Sequence, residues 1–153
     1  LNYNTGPLNF DAIVNKKTVV MLEISARNGG NGIPSIIKRA TGVDVEKAAI
    51  FLALGENPTL SESCEAQKYV SSYVFGSTKK GLLKHITPAE ILIQDISEIY
   101  DTFFAKKIGD PLAQFNHNGN FIGIVMFESD KPKNYERLCE KIEDALNLHI
   151  EGI

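Results

Sequence analysis

Only two cysteines, Cys64 and Cys139, occur in the 153 residues. They stand far apart and without metal-type spacing, which favours reduced thiols in the cytoplasm over a disulfide framework. No apolar run approaches the roughly 20 residues that cross a bilayer, and the first residues carry no signal-peptide pattern. An excess of positive charge is also missing. The formal net charge is −3, so an electrostatic nucleic-acid surface is not expected. There is no internal repeat and no low-complexity tract. Ser35 and Ser72 have no base at a recognisable spacing, so nucleophilic catalysis is unsupported. His85, His117 and His149 are too dispersed to read as a ligand set. The chain begins with Leu1 rather than methionine, as a fragment, a processed chain or a portion of something longer would.

What is present is ordinary for a soluble globular protein: 43% hydrophobic and 23% charged residues. The length suits one compact domain, or a small domain plus part of another. Leu8–Val14 and Thr18–Ser25 read as strands joined by a turn at Asn15–Lys17, an antiparallel hairpin. Arg27–Gly32 is a loop with three glycines. Pro34 opens a short helix with Ile36, Ile37 and Ala40 on its buried face, stopped at Thr41-Gly42. Asp44 caps a second helix, Val45–Leu54, closed by Gly55. After a polar stretch from Asn57 to Glu65, strands are expected at Tyr69–Phe75, Gly81–Ile86, Ile91–Ile93, Thr102–Ile108 and Phe121–Phe127. A final helix carries Leu138, Ile142, Ala145 and His149 on one face. The expected fold class is α+β.

The chemistry concentrates between Gly6 and Gly32. Residues an even number apart on a strand share a face. Glu23, Ser25 and Arg27 then point one way if the strand persists, and Leu22 and Ile24 point into the core. With an odd-numbered loop, Asp11 falls on the face of Glu23 as an opposite or diagonal neighbour, within about 5–8 Å. A two-residue loop separates them. Carboxylates this close need compensation, and a hard divalent cation such as Mg2+ or Mn2+ supplies it. Arg27 adds a planar donor fork suited to phosphate. The amides of Asn28 to Gly32, those of Asn28, Gly29 and Gly30 foremost, can cradle an anion. Singly, each of these residues has a bland reading: a solvated strand acid, a surface ion-pair partner, a turn glycine. Together, the spacing supports a site.

Gly6-Pro7-Leu8-Asn9-Phe10-Asp11, then Leu22-Glu23-Ile24-Ser25-Ala26-Arg27-Asn28-Gly29-Gly30, then Ile33-Pro34 and Ala40-Thr41-Gly42-Val43-Asp44 together resemble the last segment of the ATP-grasp fold. The resemblance implies that Asp11 and Glu23 bind magnesium ions bridging ATP phosphates, and that Arg27 faces the transferring phosphoryl group. Ser25 stands where the family usually has an asparagine metal ligand. Beyond Gly55, Lys80-Gly81-Leu82, Lys107-Ile108-Gly109-Asp110 and Ile122-Gly123 resemble the β-rich cap of amino-acid ligases, biotin carboxylase and phosphoribosylglycinamide synthetase. The expected organisation is therefore residues 1–56 as the carboxyl-terminal segment of an ATP-grasp domain and residues 57–153 as the cap, with the boundary near Gly55–Glu65.

The implied activity is a ligase, of amino-acid-ligase or carbamoyl-phosphate-synthase type, that joins a small carboxylate to an amine or ammonia through an acyl-phosphate. The adenine pocket and glycine-rich lid are not in this sequence. They are expected upstream or on a partner subunit, so the chain alone is expected to be inactive. A homo-oligomer is compatible with this reading, and neither a nucleic-acid nor a membrane partner is expected. The alternative, favoured by Ser25, is a non-catalytic binding or assembly module that kept the fold. A third is an unrelated α+β domain with a coincidental motif.

Overall fold

The computed structural model describes residues 3–60 and 65–152, so Leu1 and Cys64 lie outside the described residues. The chain divides into two compact units, Leu1–Gln67 and Lys68–Ile153.

The first unit opens with the antiparallel pair β1 (Asn9–Val14) and β2 (Val19–Ser25). β-Branched and aromatic residues favour the extended chain here. Four residues, Asn15–Thr18, link the strands. The Asn15 carboxamide oxygen accepts from the amides of Lys17 (2.9 Å) and Thr18 (3.0 Å), and the Asn15 amide donates to the Thr18 carbonyl (3.0 Å). Such a side-chain-stabilised turn is what asparagine does well.

Helix α1 (Ile33–Thr41) carries Pro34 in its first turn, where a missing N–H costs nothing. It ends at Gly42, whose φ of 80° suits glycine and whose amide bonds back to the Lys38 carbonyl. Helix α2 (Val45–Ala53) is capped by Asp44, which accepts from the Lys47 amide at 2.9 Å. Lys38 pairs with the same carboxylate at 2.7 Å, and its hydrogen bond holds the Asp44 carboxyl below the usual range.

Ala48 is the one buried residue among those described in this unit. Leu22 and Ile24, expected in a core, are 63% and 45% exposed. They join Phe10, Val14, Val19 and Met21 as exposed apolar residues of the hairpin. Their pattern is that of a strand face made for burial, but no described residue covers it.

The second unit holds two antiparallel three-stranded sheets. One has the order β3 (Tyr69–Gly76), β7 (Phe121–Ser129), β5 (Ile99–Phe104). The other has the order β6 (Pro111–Leu112), β4 (Gly81–His85), β8 (His149–Glu151). Residues 122–127 of the central strand β7 are all buried, hence its unbroken apolar run. Phe127, Leu83, Leu92 and Ile122 meet Leu138, Ile142 and Leu146 of α4 (Tyr135–Leu146) in one core.

Three expectations are corrected here. Ile91–Ile93 lies in a helix, α3 (Ala89–Asp95), not a strand. Pro88 precedes its first turn, and Leu92 and Ile96 bury at a four-residue spacing while Ile91 and Ile93 stay exposed. The next strand covers Ile99–Phe104 rather than Thr102–Ile108. The last helix stops at Leu146, where Asn147 turns left-handed at φ 44°. His149 is therefore not on its buried face. It is an exposed strand residue opposite His85. Cys139 is a free thiol, and its partial burial pushes its pKa up.

Candidate functional site

Asp11 and Glu23 are direct partners across the hairpin. Direct partners share a face, with Cβ atoms about 4.5–5.5 Å apart. The next pair on that face is Asn9 opposite Ser25. Register brings the four together through an irregularity. The ladder slips by one residue between Asp11 and Ala12, where Ala12 pairs with Met21 and Asp11 with Glu23. Leu22 is the extra residue of a β-bulge.

Both acids are exposed, while Asn9 and Ser25 are half-buried. The Ser25 hydroxyl donates to Glu23 Oε1 at 2.7 Å, and Asn9 Nδ2 donates to Asp11 Oδ1 at 3.3 Å. Asn9 was not singled out from the sequence. The signal was available: it stands two residues before Asp11 and so shares its face.

Strand β2 ends at Ser25. The Arg27 amide folds back onto the Ser25 carbonyl at 2.9 Å, so the alternation that would have put Arg27 on the Glu23 face stops short of it. The guanidinium is exposed, and Nη1 donates to the Asn28 carbonyl at 2.8 Å. Asn28 is tied to the start of α2 by Nδ2 and the Val45 carbonyl, 3.4 Å apart. The two glycines differ. A Cβ on Gly29 would lie 2.8 Å from both Asn9 Oδ1 and Ile33 Cδ1, whereas one on Gly30 would meet nothing within 4 Å. Gly29, Asn9 and Asn28 also border a largely apolar cavity of about 230 Å³, shared with Ile33, Ile37 and Leu52.

No group of three or more His, Cys, Asp or Glu side chains able to hold a metal occurs among the described residues. The face offers two carboxylates, which are hard oxygen donors, each hydrogen-bonded to a neutral polar side chain of its own strand. That chemistry fits magnesium or manganese, with water and phosphate filling the remaining positions. It does not fit a closed all-protein site.

No family model and no curated protein matches the chain. Solved structures do match. An L-amino acid ligase from Bacillus licheniformis superposes with a TM-score of 0.81 at 20% identity, over 99% of this chain and 37% of the ligase. A phosphoribosylglycinamide synthetase from Anaerococcus prevotii gives 0.75 at 22% identity, over 94% of this chain and 37% of that protein. The chain thus has a partial ATP-grasp fold, α+β with antiparallel sheets and, among the described residues, four α-helices. It spans about a third of the length of the structures it matches. Among the described residues, no helix is long and apolar enough to cross a membrane.

Proposed function

We propose that the chain is the carboxyl-terminal part of an ATP-dependent ligase that activates a carboxylate as an acyl-phosphate and passes it to an amine or ammonia. The observation that carries this reading is Asp11 opposite Glu23 on an exposed face, in a fold shared with ATP-grasp ligases. The bulge supports it further, since it aligns the two acids against the parity of the turn.

In this reading Asp11 and Glu23 would hold Mg2+ or Mn2+ for an ATP-dependent reaction. The bound ion supplies charge neutralisation at the phosphoryl group as it transfers. Arg27, exposed and making no ion pair among the described residues, turns a cationic fork towards the same phosphate. The backbone of Asn28, Gly29 and Gly30 lines the anion's approach. The protein positions reactants and stabilises charge; it takes no covalent part. The uncovered apolar residues of the hairpin belong, in this reading, against the remainder of the enzyme, which completes the nucleotide site. Cytoplasmic location and the small-molecule substrates are part of the same proposal.

The test is Glu23→Gln in the intact protein that carries this chain, assayed for MgATP-dependent ligation. Turnover should fall about a hundred-fold or more, as several kcal/mol of metal-borne stabilisation are lost. Normal turnover would sink the reading. A second reading, a binding or assembly module, is favoured by Ser25 in place of the family's asparagine. It requires wild-type protein that binds its partners without metal-dependent nucleotide binding.

A further inference from the structure

The second pair on the carboxylate face explains how the first is held. Ser25 and Glu23 are two residues apart on β2, and Asn9 and Asp11 are two apart on β1, so each polar neighbour returns to the face of its acid. Ser25 Oγ donates to Glu23 Oε1 at 2.7 Å, and Asn9 Nδ2 donates to Asp11 Oδ1 at 3.3 Å. Asn9 and Ser25 are themselves opposed. Each acid is therefore steadied by one donor from its own strand.

A serine hydroxyl has one proton, and here it is committed to one carboxylate oxygen. That leaves Glu23 Oε2 for a cation and restrains the carboxylate's rotamer. The Asn9 oxygen lies on the side of the glycine loop, 2.8 Å from where a Gly29 Cβ would sit. Asn9 is thus wedged between Asp11 and the glycine loop.

We propose that Ser25 and Asn9 are positioning residues, Ser25 for Glu23 and Asn9 for Asp11, and that neither gives an oxygen to the metal. This replaces the ligand role that the resemblance assigns to Ser25. It rests on the reading of Asp11 and Glu23 as metal ligands, which the test below examines separately.

The probe is Mn2+ alone, titrated into the intact protein. Electron paramagnetic resonance of free Mn2+ gives affinity, and water-proton relaxation gives the number of waters on the bound ion. Ser25→Ala and Asn9→Ala should each weaken binding about 10–100-fold, the usual effect of losing a group that orients a ligand. The number of bound waters should not change. Ser25→Thr keeps the hydroxyl and should restore most of the affinity. It also guards against a folding defect in the alanine variant, which circular dichroism checks. One additional bound water in Ser25→Ala would make Ser25 a ligand and overturn the proposal. Unchanged affinity in Ser25→Ala would overturn it as well. Glu23→Gln is the control: if it binds Mn2+ like wild type, the metal reading itself fails, and this inference with it. If Glu23→Gln loses binding while the Ser25 and Asn9 variants keep it, the positioning proposal alone is wrong.

Discussion

Asp11 faces Glu23 because the hairpin ladder slips by one residue beside them. Val14 pairs with Val19 across a four-residue link, and a regular ladder from that turn would set Asp11 against Leu22. The bulge absorbs Leu22 and delivers Glu23 instead. Two changes in length follow from this with opposite outcomes. Inserting one alanine between Leu22 and Glu23 takes Glu23 out of direct opposition to Asp11, and Mn2+ binding by the intact protein should be lost. Deleting Leu22 straightens the ladder yet leaves Asp11 opposite Glu23, so binding should stay within about 0.5 kcal/mol of wild type. Equal binding by the insertion variant would show that the opposed pair is not the site.

That slip also marks where sequence reading runs out. Alternation marks the first strand and β-branched, apolar content the second, and the Asp11 and Glu23 spacing is readable. Their shared face depended on an odd count of residues between the strands, and the turn supplies four. Nothing in Val19-Val-Met-Leu22 distinguishes a bulged residue from its neighbours, since all four are apolar. Leu22 and Ile24 were read as core because a core-facing pattern is all that sequence shows. Their exposure is visible only once the described chain is seen to lack a covering layer. Ile91–Ile93 misled because a three-residue apolar run has no period of its own. Pro88 ahead of it and the Leu92–Ile96 spacing were the better guides. The shared face of Arg27 and Glu23 depended on the strand reaching Arg27, and β2 ends at Ser25.

Gly29 and Gly30 are adjacent in the motif but only one is required by space. A methyl group on Gly29 collides with Asn9 Oδ1 and Ile33 Cδ1, both 2.8 Å away. On Gly30 it points into open space, and neither residue has a positive φ that would demand glycine. Gly29→Ala should therefore destabilise the protein by about 1–3 kcal/mol through overpacking. Gly30→Ala should change stability by no more than about 0.5 kcal/mol. Urea unfolding of the two variants beside wild type decides it; equal losses would mean that the loop adjusts freely around Gly29.

Tyr73 gives the second unit a pH dependence of definite sign. It lies on β3, partly buried and stacked on Phe75 with ring centroids 6.3 Å apart. Burial first, and then the charge and hydrogen bond of Glu143, push its pKa up to about 12 from an ordinary 10.0. A raised pKa means that the folded state holds the proton where the unfolded state has released it. The stabilisation is thus whole below about 10 and is lost as pH climbs through about 12. Tyr135 and Cys139 are also raised, the first chiefly by its hydrogen bond with Cys139 and the second by burial, and add slope of the same sign. Tyr73→Phe should flatten part of the fall in unfolding free energy between pH 10 and 12, not all of it. It should also remove a late-appearing phenolate from an ultraviolet titration at high pH. If wild type and Tyr73→Phe lose stability in parallel across that window, Tyr73 ionises as freely in the folded protein as in the unfolded chain, and burial beside Glu143 does not restrain it.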